Sequence, residues 1–286
     1  MSQTCPCCKS TRTTFFKSVD SYDYFACKTC ECLFLDTNYL SQIDEGLKIV
    51  NYEEAYWKME LESARERSYG PALARMAEAV YYCKRVIRKF LDIGTGPGYF
   101  LDAIGKLLPD HADIFYGVEL FPPDAAFRTT SPNYIIGDLG DLKNKFDCGI
   151  CIEVIEHLTP RMVDDLLKKL AAVSNPEALY IFNTGMPEYV KKEDIAYLDP
   201  TRRGHLVSYS LKAMSILARP YGFTARRIIG KTWAFVLELT DKNDADTENI
   251  RDRIWKASPE NLSILSDSTM GSALKILGLE TSRAYT

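Results

Sequence analysis

Phe90-Leu-Asp-Ile-Gly-Thr-Gly-Pro-Gly-Tyr-Phe-Leu-Asp-Ala-Ile104 reads as a short apolar strand with an acidic residue near its end, then a three-glycine turn, then an amphipathic helix. A unit of this kind lets backbone amides and a helix N-terminus approach a bound ligand. The glycine spacing narrows the choice of ligand. Gly94, Gly96 and Gly98 form GxGxG, and Tyr99 stands where a dinucleotide-binding turn needs its last glycine. The pyrophosphate fingerprint is therefore not satisfied.

Three further segments follow in order. Tyr116-Gly-Val-Glu-Leu120 is a second strand ending in a carboxylate, a group that only accepts and can take two O–H donors. Tyr134-Ile-Ile-Gly-Asp-Leu139 is a third strand ending in Asp138, and Phe146-Asp-Cys-Gly-Ile-Cys-Ile-Glu-Val-Ile-Glu-His-Leu158 is a fourth with an acidic and histidine-bearing exit. Together the four segments resemble the class I S-adenosylmethionine-dependent methyltransferases. The resemblance implies an α/β fold with a doubly wound, mostly parallel, Rossmann-like seven-stranded sheet, and S-adenosylmethionine as cofactor. It places Asp92, Gly94, Gly96 and Gly98 at the turn and the amino-acid end of the cofactor. Glu119 with Leu120 falls at the ribose, Asp138 with Leu139 at the adenine, and Glu153 at the end of the fourth strand.

Composition bounds the rest. The 286 residues can form one full core and a small extra module. Hydrophobic content of 46% and charged content of 26% are ordinary for a soluble globular protein, and no apolar run is long enough to cross a bilayer. The polar N-terminus does not read as a signal peptide, so a cytoplasmic location is expected. A net charge of −4 gives no overall drive toward nucleic acid.

Cysteine usage is uneven. Cys5, Cys7, Cys8, Cys27, Cys30 and Cys32 all lie near the start, whereas Cys83, Cys148 and Cys151 sit in apolar contexts and read as small core residues. Cys5-Pro-Cys-Cys8 and Cys27-Lys-Thr-Cys30 have CxxC spacing on either side of a β-rich insert (Thr13-Thr-Phe-Phe16, Tyr22-Asp-Tyr-Phe25), the pattern of a zinc ribbon. With no histidine nearby the site would be Cys₄. The favoured ligands for about one structural zinc are Cys5, Cys8, Cys27 and Cys30, with Cys7 and Cys32 as alternatives. A module this small has too little core to fold without a staple, and disulfides are improbable in a cytosolic chain.

The expected organisation is a zinc ribbon over 1–40, a helical connector or lid over 41–89, the methyltransferase domain over 90–240 and a helical extension over 241–286. In the connector, a helix runs to Ser68, Gly70-Pro71 breaks it, and a second helix spans 72–89 with Lys84, Arg85, Arg88 and Lys89 at its C-terminus. Strands are expected at 89–93, 114–118, 133–137, 147–151 and 178–183, and helices at 98–108, 123–128, 160–173 and 210–221. Ala225-Arg-Arg-Ile-Ile229 and Trp233-Ala-Phe-Val-Leu-Glu-Leu239 read as a closing hairpin. Short helices are expected near Ile250 to Trp255 and after Ser258. The tail is free to cap the cofactor, pack on the sheet or make an oligomer contact, and the oligomeric state is not set by the sequence.

Methyl transfer needs the donor and acceptor placed at attack distance in a dry site, and a hydroxyl or acidic carbon also needs a base. Two histidines are candidates. His205, in Arg202-Arg-Gly-His-Leu-Val-Ser-Tyr209, precedes a helix on the loop where acceptors dock in relatives, and imidazole suits a base at neutral pH. The alternative is that it ties this loop down. His157 belongs to Glu153-Val-Ile-Glu156-His157, which resembles the ExxEH signature of ubiquinone-pathway O-methyltransferases. That resemblance implies a divalent cation on Glu153, Glu156 and His157. The preferred reading is a pocket wall without metal, because motif matches transfer poorly between subfamilies. Arg202 and Arg203 are candidates for gripping a phosphate or carboxylate, or form a solvated pair. Tyr52, Tyr56 and Trp57 are candidates for the pocket mouth, or core.

The whole arrangement resembles zinc-ribbon methyltransferases of bacterial sugar and glycan pathways. It implies a small-molecule acceptor, a sugar or glycan precursor or a phenol-like compound, with O-methylation of a hydroxyl preferred. C-methylation of a nucleotide-linked ketosugar is the alternative, weakened because those enzymes carry a large extra C-terminal domain that this chain lacks. An RNA methyltransferase gripping RNA through the ribbon is disfavoured: Lys9, Arg12, Lys17 and Lys28 are balanced by Asp20, Asp23, Glu31 and Asp36. A non-catalytic cofactor-binding scaffold is the remaining rival.

Overall fold

The computed structural model describes residues 3–47, 54–240 and 249–266, with side chains from residue 60 in the helix that starts at Glu54. The chain begins with β1 (Thr13–Val19), β2 (Tyr22–Cys27), β3 (Leu33–Leu35) and α1 (Thr37–Asp44), followed by α2 (Glu54–Arg67) and α3 (Leu73–Tyr82). Strands and helices then alternate as β4 (Phe90–Ile93), α4 (Tyr99–Leu107), β5 (Phe115–Glu119), β6 (Tyr134–Ile136), β7 (Phe146–Ile152), α5 (Pro160–Ala172) and β8 (Ser174–Asn183). The remaining elements are α6 (Pro187–Lys192), β9 (Val207–Ser208), α7 (Leu211–Ala218), β10 (Phe223–Arg227), β11 (Ala234–Leu239) and α8 (Pro259–Ile264).

Seven strands form a mostly parallel sheet in the order β10-β11-β8-β7-β4-β5-β6, as the doubly wound reading requires. A second sheet has the order β1-β2-β3-β9. The chain packs as two compact units. One holds Met1–Asn51, Glu153–Ala172 and Phe182–Glu238, the other Tyr52–Ile152, Val173–Ile181 and Leu239–Thr286.

In the second unit β4 is buried at all four positions, as a central parallel strand must be. It runs parallel to β5 on one side and β7 on the other. Phe90, Phe100 and Phe115 pack ring to ring at centroid distances of 5.0–6.3 Å. Gly149 of β7 is required for this approach, since a Cβ there would lie 2.4 Å from the carbonyl oxygen of Leu91. In the first unit, β3 adds β9 to the N-terminal strands through Leu33↔Ser208 and Phe34↔Val207.

Four local expectations change. Gly70-Pro71 does not break the connector helix; a π-helical turn over Ser68–Ala72 absorbs it and α3 follows directly. A widened turn tolerates the N–H that proline lacks. The second helix stops at Tyr82 rather than residue 89, and side chains from elsewhere in the unit claim amides of the segment that follows. Asp147 Oδ2 accepts from Arg88 N at 2.8 Å and Lys89 N at 3.0 Å, its Oδ1 meets Arg85 Nε at 2.5 Å, and Asn261 Oδ1 accepts from Ile87 N at 2.9 Å. The basic cluster is thus outside the helix. The helix expected at 123–128 is only a 3₁₀ turn, Ala125–Phe127, after the helix-disfavouring pair Pro122-Pro123. The helix expected at 210–221 ends as α7 at Ala218, and Pro220 sits in the 3₁₀ turn Arg219–Tyr221 that follows.

The described part of the tail packs within the second unit. Arg253 Nη1 donates to Tyr82 O at 3.1 Å. Asn261, fully buried on α8, also donates from Nδ2 to Cys83 O at 3.1 Å and Arg85 O at 2.9 Å. Trp255 lies exposed. Among the described residues no helix is long and apolar enough to cross a membrane. Asn261→Ala strands one backbone N–H and two carbonyls, and each unpaired buried group costs ~1–3 kcal/mol. The variant is expected to melt several degrees below the parent in a thermal scan; an unchanged midpoint would show that α8 is dispensable to this unit.

Candidate active site

The glycine turn is built by the second unit. Gly94, Gly96 and Gly98 all adopt left-handed φ, at 69°, 58° and 81°. Gly98 is also the N-cap of α4, and a Cβ there would lie 2.3 Å from Thr129 Cγ2. Asp92 is buried and accepts from Thr95 Oγ1 at 2.6 Å. Burial, opposed by that hydrogen bond and aided by the Glu119 charge, pushes the Asp92 carboxyl up to about 7.

Glu119 closes the turn from the next strand. Its Oε2 accepts from Gly96 N at 2.7 Å and its Oε1 from Phe121 N at 2.8 Å. Burial raises its pKa, and the amides of Phe121, Gly96 and Leu120 counter the rise. Each oxygen keeps a lone pair, so the carboxylate can still take two ribose hydroxyls. Tyr134 Oη donates to Gly96 O at 2.8 Å, fixing the turn from β6.

Leu120, Phe121 and Ile136 are exposed apolar side chains at the ends of β5 and β6, suited to an adenine face. Leu139 is buried, and Asp138 caps the turn Leu139–Asp141 by accepting from Gly140 N at 3.1 Å. These residues fit the cofactor: a cramped glycine cradle, a carboxylate with acceptor capacity and an apolar shelf. Thr95, Phe121 and Tyr134 were not legible as site residues in the sequence, although Phe121 adjoins the Glu119 motif.

The first unit carries a separate polar cluster. Glu153 has left-handed φ of 52°, and Asn183 holds it by donating Nδ2 to Oε1 at 2.9 Å. Tyr197 Oη accepts from Gly185 N at 2.8 Å and lies 2.9 Å from Glu156 Oε1 and 3.3 Å from Glu153 Oε2. Glu156 is wholly buried, and burial together with the Glu153 charge raises its pKa well above the carboxylate range.

His205 and His157 meet edge to face at 4.8 Å. His205 is buried, with Nδ1 2.7 Å from Tyr197 O and Nε2 4.0 Å from Glu156 Oε1. His157 Nδ1 lies 3.2 Å from Gly204 O. A carbonyl only accepts, so both imidazoles carry hydrogen on Nδ1 and present Nε2 as the acceptor nitrogen. Ligand atoms of Glu156, His157 and His205 lie within 4.8 Å of one another, whereas Glu153 is engaged by Asn183 and Tyr197. Tyr197, in the loop between α6 and β9, gave no sequence signal. Arg203 pairs with Asp194 at 3.1 Å and Arg202 is exposed. Tyr52 and the side chains of Tyr56 and Trp57 lie outside the described residues.

The same unit gathers the N-terminal thiols. Cys5, Cys8, Cys27 and Cys30 have sulfurs within 4.8 Å of one another, and so do Cys5, Cys7 and Cys32. Lys9 and Glu31, each one residue past a CxxC, adopt left-handed φ of 61° and 67°, and the amides of Thr29 and Cys30 point at Cys27 Sγ at 3.4 and 3.5 Å. Convergent thiols with amide support fit a tetrahedral zinc. Cys83, Cys148 and Cys151 are buried, as expected.

The family described as Methyltransferase domain matches residues 61–228, more than half of the chain. The chain belongs to that family and is an S-adenosylmethionine-dependent methyltransferase. Its structure is similar to CalS10 of Micromonospora echinaspora, an amino pentose methyltransferase of calicheamicin biosynthesis, at 16% identity, 68% of this chain, 100% of that chain and TM-score 0.48. It is also similar to the sugar N-methyltransferase KedS8 of Streptoalloteichus sp ATCC 53650, at 14% identity, 59% and 87% coverage and TM-score 0.45. Human N-acetylserotonin methyltransferase is similar at 14% identity, 71% and 62% coverage and TM-score 0.45. No curated protein sequence matches the chain.

Two outcomes follow. Glu119→Ala is expected to weaken S-adenosylmethionine binding by at least ~1–3 kcal/mol, and calorimetry showing unchanged affinity would reject the ribose assignment. Asp92 is raised in the folded state, so its contribution to stability is full below the unfolded value near ~4 and is lost as pH rises toward 7. Glu156 acts in the same direction. Asp92→Asn should therefore flatten part of this decline in urea unfolding, and parallel pH profiles for variant and parent would contradict the burial argument.

Proposed function

We propose that this methyltransferase acts on a hydroxyl of a small molecule, a sugar or glycan precursor first and a phenol-like compound second. The observation that carries the proposal is the imidazole pair with hydrogen-bonded Nδ1 and acceptor Nε2 beside the Glu156 carboxyl. A neutral nucleophile such as an amine needs no base to attack, whereas a hydroxyl sheds its proton as the new bond forms. When bound, the cofactor supplies an activated methyl group. Asp92, the glycine turn, Glu119, Leu120, Asp138 and Leu139 would hold it.

His205 takes the hydroxyl proton on Nε2. The imidazolium so formed lies 4.0 Å from Glu156 Oε1, and the Glu153 charge beside it offsets the new positive charge. Tyr197 is a positioning residue: its carbonyl fixes the His205 tautomer and its hydroxyl orders the two carboxyls. A second reading places a divalent cation on Glu156, His157 and His205, favoured by their mutual proximity. We further infer that one zinc on Cys5, Cys8, Cys27 and Cys30 staples the N-terminal strands.

The test is a panel of nucleotide sugars, free sugars and phenols, read as S-adenosylhomocysteine release with mass detection of the product. With an accepted substrate, His205→Ala should lower turnover by ~10²–10⁴, leave cofactor affinity in calorimetry unchanged and remove the acidic limb of the pH–rate profile. Near-normal turnover with the same limb would move the proton to His157 or dispense with a base. Loss of parent activity on brief chelation, restored by magnesium or manganese, would favour the cation reading.

A further inference from the structure

One zinc uses four thiols, yet six converge. Cys5 Sγ lies 3.6 Å from Cys30 and 3.5 Å from Cys32, Cys30 lies 3.3 Å from Cys32, and Cys8 lies 3.5 Å from Cys27. Zinc–sulfur bonds of about 2.3 Å in a tetrahedron separate the sulfurs by about 3.8 Å, so these spacings are close to those of shared metal ligands. Cys5 belongs to both thiol groups, whereas Cys30 belongs to the first and lies 3.3 Å from Cys32 of the second.

We propose that the cluster binds two zinc ions on six thiolates, with Cys5 and Cys30 bridging. Cys8 and Cys27 complete the first tetrahedron, and Cys7 and Cys32 complete the second. The inference rests on the reading of the first zinc and adds a second metal to it.

Charge and burial favour the pair. A four-thiolate zinc carries two net negative charges, and six thiolates with two zincs carry the same two. The second ion therefore brings Cys7 and Cys32 in as ligands without adding net charge to a buried site. Cys5, Cys30 and Cys32 are fully buried, so both bridges stand where water cannot compete for the metal. Ligand thiols deprotonate on binding and release their protons to solvent.

The parent chain, purified without chelator from zinc-supplemented growth, should contain two zincs by elemental analysis, and cobalt titration should reach its thiolate-to-cobalt plateau at two equivalents. Cys7→Ser with Cys32→Ser should retain one zinc. X-ray absorption on the two-zinc parent should show metal–metal scattering, a readout that holds even if the double variant fails to fold. One zinc in the parent, unchanged in the double variant, overturns the second site and leaves the first. One zinc in the parent that the double variant loses overturns both ligand assignments. A parent without zinc overturns both readings, and two zincs without metal–metal scattering overturn the bridge.

Discussion

One oxygen of the Glu119 carboxylate accepts the Gly96 amide and the other accepts the Phe121 amide. These bonds join the turn after β4 to the end of β5, and they offset the desolvation of a buried charge. The turn needs this anchor because three of its residues are glycines in left-handed backbone, which have no side chains to brace them. Tyr134 secures Gly96 from the other side through its carbonyl, and the crowding at Gly98 leaves no room for a larger residue. One carboxylate therefore holds the turn and the end of the next strand together, and it still has acceptor positions for a ligand.

The N-terminal strands have a comparable role in the other unit. The loop between α6 and β9 carries Tyr197 and His205 in buried positions, so its backbone groups must find partners inside the protein. Lys17 of β1 donates to the carbonyls of Ile195 at 2.5 Å and Leu198 at 2.9 Å, and Tyr24 of β2 donates to His205 O at 2.6 Å. Leu35 N donates to Leu206 O at 2.9 Å, and Ser210 Oγ to Cys30 O. The thiol-rich strands are thus a brace for the histidine loop. This gives a small cysteine module a structural purpose within its unit.

Buried acids recur in both units, with different solutions. Asp92 and Glu156 rise because burial disfavours their charged forms. Asp147 instead collects two backbone amides, Arg85 and Asn175 around one carboxylate. That set of partners also keeps the segment between α3 and β4 out of a helix, since amides that bond a carboxylate cannot continue one.

Local chemistry made much of this protein legible before folding. The run Phe90 to Ile104 determined its strand, turn and helix because apolar burial and glycine φ act over a few residues. Carboxylates at the ends of successive strands announced Glu119 and Asp138 by the same short-range logic, and paired CxxC spacing announced the thiol site. Tertiary structure alone decided what distant residues do to one another. Asn261 reaches Cys83, Arg85 and Ile87, Tyr197 orders Glu153, Glu156 and His205, and β9 joins the N-terminal sheet. None of these has a periodicity or motif, because a buried hydrogen bond depends on which groups desolvation brings together and not on their spacing along the chain.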